Sequence, residues 1–151
     1  GEDQYRHAVY TFWKRSAPYP SMIAFDGVAR DLCTARRIRT NTPLQALATL
    51  NDSAFVEMAR NFAFRMQREA GQGVKQQIQT GFKLAVQRTI DNRSLQVLTT
   101  LYNTALEQFK NDPERTCQMM GGMNAYTNAE TAALTVVANA ILNLNEVVTK
   151  T

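Results

Sequence analysis

The stretch "RIRTNTPLQALATLND", residues 37–52, changes character at its midpoint, from a basic, unpatterned approach to an Ala- and Leu-rich run. Thr42 is placed to cap a helix and Pro43 to occupy its first position, where the missing N–H costs nothing. Gln45 then falls at the third helical position, which completes a T-x-x-Q capping box with Thr42. Leu44, Leu47 and Leu50 recur at helical spacing and predict the buried stripe of this helix. Asp52, in "NDS", predicts a break and the N-cap of a second helix directly behind it. Two capped helices in series set the expectation of a helical protein.

The pattern continues downstream. Residues 53–70 carry Phe55, Met58, Ala59, Phe62 and Met66 on one helical face, and Gly71 and Gly73 follow as terminators. Residues 74–88 place Val74, Ile78, Phe82 and Ala85 at the same period. Asp91 predicts the cap of the next helix, whose apolar face is Leu95, Leu98, Leu101, Tyr102, Ala105 and Phe109. Residues 111–126, "NDPERTCQMMGGMNAY", contain a proline and a glycine pair and read as a loop with at most a helical turn. Thr127 and Glu130 predict a second capping box, and Leu134, Val137, Ile141, Leu144 and Val148 line the final helix. No segment sustains the alternation of a half-buried strand.

Upstream, Tyr5, Val9, Phe12 and Trp13 predict a short amphipathic helix from Gln4 to Ser16, ended by Pro18 and Pro20. Residues 17–42 show neither helical nor strand period. An irregular connection of that length is often functional. The fold expected is therefore an all-α bundle of five to six helices, one domain over residues 1–151, with this irregular segment packed across it.

A chain of 151 residues can bury a sizeable core, about 68–70% of its unfolded surface, without metals or a disulfide framework. Its 44% hydrophobic and 20% charged content places it among globular chains. The longest apolar runs fall well short of the ~18 residues a membrane helix needs. The net charge is +4, but it is uneven: residues 1–93 hold fourteen basic and eight acidic side chains, residues 94–151 three and five. This bias supports weak electrostatic steering. With no nucleic-acid-reading motif beside it, it does not predict a nucleic-acid partner. Cys33 and Cys117 could pair across a long loop or remain two buried thiols, and the count is compatible with either. Gly1-Glu2-Asp3 reads as the start of an excised piece, so targeting signals are expected outside these residues.

Few residues suggest chemistry. His7 is the single histidine, and as a general base it would need a partner that only the fold can supply. Combined with Cys33 and Cys117 it lacks the paired spacings of a zinc site, so no metal is expected. No haem-attachment motif is present, and no cofactor is expected. Arg36, Arg37 and Arg39, near Asp26 and Tyr19, could form an anion site, since the guanidinium fork suits carboxylate, sulfate or phosphate. The simpler expectation is that these arginines tie the irregular segment down through backbone carbonyls and through Asp26, Asp31 and Asp52.

The runs "VYTFWKR" (9–15), "PSMIAFD" (20–26), "CTARRIRTNTPLQAL" (33–47), "LNDSAFVEMAR" (50–60) and "ILNLNE" (141–146) give the chain its resemblance to a family. It resembles the PSD-one domain of planctomycete-type exported proteins, known as domain of unknown function 1553. It departs from the family pattern at Ser53, where proline is usual after "LND", and near Thr131, where an aromatic is usual. The resemblance implies a C-terminal module of a large exported protein, periplasmic or otherwise outside the cytoplasm, sometimes behind a cytochrome c-like or lectin-like module. It carries no established catalytic residues to transfer. The leading expectation is a structural or interaction module, not an enzyme by itself, docking on an adjacent domain or an envelope protein through an apolar patch rimmed by charge. The alternative is an anion-binding or hydrolytic site for sulfated or carboxylated polysaccharide, built from Arg36, Arg37, Arg39, Asp26, Tyr19 and His7. A weaker alternative is an accessory role in a haem-containing electron-transfer protein.

Overall fold

The computed structural model describes residues 10, 12, 14, 16, 20–27, 42–123 and 127–148. Among them are eight helices and no β-strand: α1 (Pro20–Ala24), α2 (Pro43–Asn51), α3 (Ser53–Ala70), α4 (Val74–Val86), α5 (Asn92–Asn111), α6 (Pro113–Met120), α7 (Ala129–Leu142) and α8 (Asn145–Val148). The protein is all-α, with more and shorter helices than the five to six that periodicity suggests. The chain divides into two compact units, Gly1–Ala54 and Phe55–Thr151.

In the first unit α1 lies against α2. The helix predicted over Gln4–Ser16 lies outside the described residues except at Tyr10, Phe12, Lys14 and Ser16. None of these four is α-helical, and Phe12, expected on a buried face, is 84% exposed. The 17–42 segment is not wholly irregular, because it contains α1; residues 17–19 and 28–41 lie outside the described residues. α1 ends with the Gly27 N–H donating to Met22 O at 2.6 Å and the Asp26 N–H to Ile23 O at 3.2 Å. This double closure needs a left-handed residue after the helix, and Asp26 fills it at φ 56°. Aspartate tolerates that conformation better than most non-glycine residues.

The second unit is built around α7. Nine of its fourteen residues are buried, with Leu134, Val137, Ala138 and Ile141 fully enclosed. A helix apolar on all sides belongs at the centre of a bundle. α5 packs along it most extensively and contributes Leu98, Tyr102, Ala105 and Phe109, while α4, α6 and α8 also touch it. α3 supplies Ala59, Ala63 and Met66 to the same core. Gly81 of α4 lies so close to Met66 that an added Cβ would stand 2.7 Å from its sulfur. At the far end Arg88 pairs with Glu146 and stacks over the Phe82 ring.

Three expectations are corrected here. Residues 113–120 form a full two-turn helix rather than a loop. Asp112 caps it by accepting from the Arg115 N–H at 2.9 Å, and Pro113 takes the first position. The proline thus starts a helix, and the glycine pair closes it: Gly121 is left-handed at φ 76°, with its N–H on Gln118 O and that of Gly122 on Cys117 O. The cap of α7 is Asn128, whose side chain accepts from the Thr131 N–H at 2.7 Å, not Thr127. Thr127 instead donates to Gly122 O at 2.8 Å, and Glu130 falls one position too early to complete a box. The final helix stops at Leu142 and resumes as α8, which leaves Val148 44% exposed instead of buried.

Candidate interaction surface on the second helix

The corner between α1 and α2 is organised by the side chain of Gln45. Its Oε1 accepts from the Thr42 N–H at 3.0 Å, and its own N–H donates to Thr42 Oγ1 at 3.3 Å, closing the capping box. Its Nε2 donates to Asp26 Oδ2 at 3.2 Å, so the residue that caps α2 also holds the end of α1. With both ends of the carboxamide engaged, Gln45 can be buried to 5% exposure. Thr49, one turn on and equally buried, donates to Ala46 O at 3.0 Å and lies 3.2 Å from Gln45 O.

The consequence is a helix whose faces are exchanged relative to the expectation. Leu44, Leu47 and Leu50, predicted as the buried stripe, are 62%, 57% and 43% exposed. The physical reason is geometric: at about 100° per residue the leucines and the Gln45–Thr49 pair lie on opposite sides of the helix. The side that joins the Asp26 corner is the polar one. Ile23 of α1 is exposed as well. Scattered surface leucines are ordinary, but three in a row on one helix face form a patch that calls for a role.

The remaining candidates divide simply. Asp26 is held in the corner just described. Arg36, Arg37, Arg39, Tyr19 and His7 lie outside the described residues, as does Cys33. Cys117 is a free thiol, half-buried on α6. Asp52 closes α2 through its N–H on Ala48 O at 2.9 Å and opens α3 by accepting from the Ala54 N–H at 2.8 Å. Asp91 caps α5 by accepting from the Ser94 N–H at 3.0 Å, and bonding to Ser94 holds its carboxyl below the ordinary aspartate range. The Tyr102 hydroxyl is pushed up, first by burial and then by the Glu130 carboxylate. Among the described residues no group of three His, Cys, Asp or Glu side chains could hold a metal ion. No helix among them is long and apolar enough to cross a membrane.

Sequence reasoning missed two caps, Asn128 and Asp112. The signal for Asp112 was available, since Asp112-Pro113 repeats the cap-then-proline order of Thr42-Pro43.

Fold and surface together define an all-helical module with an outward apolar helix face. Residues 1–102 match the family PSD1, protein of unknown function (DUF1553), and the chain belongs to this family. No curated protein and no solved structure matches the sequence.

Proposed function

We propose that the chain is an interaction module of an exported multidomain protein, docking through the outward face of α2 onto another protein domain. The observation that supports this reading is the exchange of faces on α2, with leucines outside and hydrogen-bonded Gln45 and Thr49 inside. With the glutamine buried, three leucines remain in a row on the surface, a contiguous apolar patch rather than scattered exposure. The polar corner holds the helix in register while its apolar side stays available, an arrangement suited to binding. The exported setting rests on the domain context that the family resemblance implies.

The test is the variant Leu47→Asp in the full-length protein. Its helical content and melting temperature are expected to match the parent, while its association with the docked domain, read by limited proteolysis and sedimentation, is lost. Association unchanged by the aspartate would remove α2 from the interface and with it this reading.

A further inference from the structure

We infer that Asp26 and Gly27 form a latent self-modification site, at which the aspartate isomerises to isoaspartate through a cyclic imide, and that the corner held by Gln45 keeps this reaction shut off in the folded chain. The pair is the single Asp-Gly step in the sequence, and no Asn-Gly accompanies it. An aspartate followed by glycine is the aspartyl step most prone to this reaction, because no Cβ shields the attacking amide nitrogen.

The chemistry needs only these two residues and water. The Gly27 amide nitrogen attacks Cγ of the protonated Asp26 carboxyl. An N–Cγ bond forms, and one carboxyl oxygen departs as water with the amide proton and the carboxyl proton. Water then opens the five-membered ring on either side. Cleavage of the N–Cγ bond restores aspartate. Cleavage between the nitrogen and the Asp26 main-chain carbonyl carbon leaves the chain running through Cβ and Cγ, with a free α-carboxylate beside it. No oxidant, reductant or further reactant enters the balance.

The corner opposes the attack at both reacting atoms and at the backbone between them. The Gly27 N–H donates to Met22 O at 2.6 Å, so the nucleophile is engaged and its proton held. The Asp26 carboxylate accepts from Gln45 Nε2 at 3.2 Å, which ties the electrophilic carbon to α2. The backbone of Asp26 is fixed at a left-handed φ of 56°, with its N–H on Ile23 O at 3.2 Å. Ring closure rotates the Asp26 bonds, so it requires a local opening that releases these contacts together. Asp26 and Gly27 are half-buried rather than enclosed, and water reaches the ring once it forms. The isoaspartate product does not fit back into the corner. Its extra main-chain methylene displaces the helix closure and moves the carboxylate that Gln45 holds, so a transient opening becomes a permanent mark.

The test incubates the full-length protein at neutral pH in heavy-oxygen water and follows the peptide containing residue 26 by mass spectrometry, since ring opening adds a heavy oxygen whichever bond breaks. Gln45→Glu is the informative variant. Its carboxylate still accepts from the Thr42 N–H, so the capping box survives, while the donor to Asp26 is gone. Label at residue 26 is expected to accumulate about tenfold or more slowly in the folded parent than in the chain unfolded by guanidinium chloride. In Gln45→Glu it is expected to rise about tenfold above the parent with helical content unchanged. A parent labelled as fast as the unfolded chain, an unfolded chain that takes up no label, or a Gln45→Glu rate equal to the parent's would overturn the inference. A rise that comes only with lost helical content would assign the protection to the helices as a whole and remove the role given to Gln45.

Discussion

Gln45 decides which face of α2 turns inward within the first unit. Its carboxamide spans the Thr42 cap and the Asp26 carboxylate, two groups that would each lose a partner if it were shortened. Gln45→Ala is therefore expected to lower the unfolding free energy by about 1–3 kcal/mol, measured by chemical denaturation; a change near zero would mean that the corner is not formed. The capping role was legible from T-P-L-Q alone, because a capping box is a local pattern. The link to Asp26 was not, since it joins residues nineteen apart and nothing in the local sequence encodes that proximity. Asp91 makes a pH-dependent contribution of opposite accessibility, at the surface. Its carboxyl titrates below the ordinary range because it bonds to Ser94, so its contribution is present above the unfolded pKa and is lost as pH falls through the folded one. Asp91→Asn keeps a cap but removes the titration. The stability difference between the parent and this variant, followed by denaturation from neutral to acid pH, is expected to shift in the variant's favour as pH falls.

At the scale of elements, the helix ends carry most of the information that could be read and most that was misread. Proline and glycine in 111–126 suggested a loop, yet the same residues bound α6 at its two ends, because proline is tolerated only at a helix start and glycine is favoured just past its finish. α6 is further held by Arg60 of α3, whose Nε donates to Met119 O and whose guanidinium lies over Gly121. A Cβ at Gly121 would approach Arg60 Nη1 to 2.7 Å, at a backbone φ of 76° that disfavours side chains. Gly121→Ala is expected to cost about 1–2 kcal/mol from the backbone alone, seen as a lower melting temperature. An unchanged value would show that α6 ends differently. The face of each element was less legible than its length. Periodicity identified Ala59 and Met66 of α3 and four buried residues of α5 correctly, because long helices with one apolar side have a single way to face a core. In α2 the leucine spacing favoured the face that proved exposed, because the bond that turns the helix, Gln45 to Asp26, has no local sequence signature.

Across the whole molecule, the two units differ in how they use apolar surface. The second encloses it: α7 is surrounded, and its three buried polar side chains run along it at Thr131, Thr135 and Asn139. Thr131 accepts from Gln67 at 3.2 Å and Thr135 donates to Thr131 O at 2.9 Å, so burial does not leave these hydroxyls unsatisfied. The first unit turns leucines outward around a hydrogen-bonded corner. Periodicity could announce a helical chain and composition enough apolar residues for a core, but neither told which of them would remain outside it. The measurement that bears most directly on the outward face of α2 is equilibrium unfolding of Leu47→Asp in the purified chain. A solvent-facing leucine predicts stability within about 0.5 kcal/mol of the parent. A loss of about 2 kcal/mol or more, the cost of placing a charge in a core, would contradict the account and return Leu44, Leu47 and Leu50 to the interior.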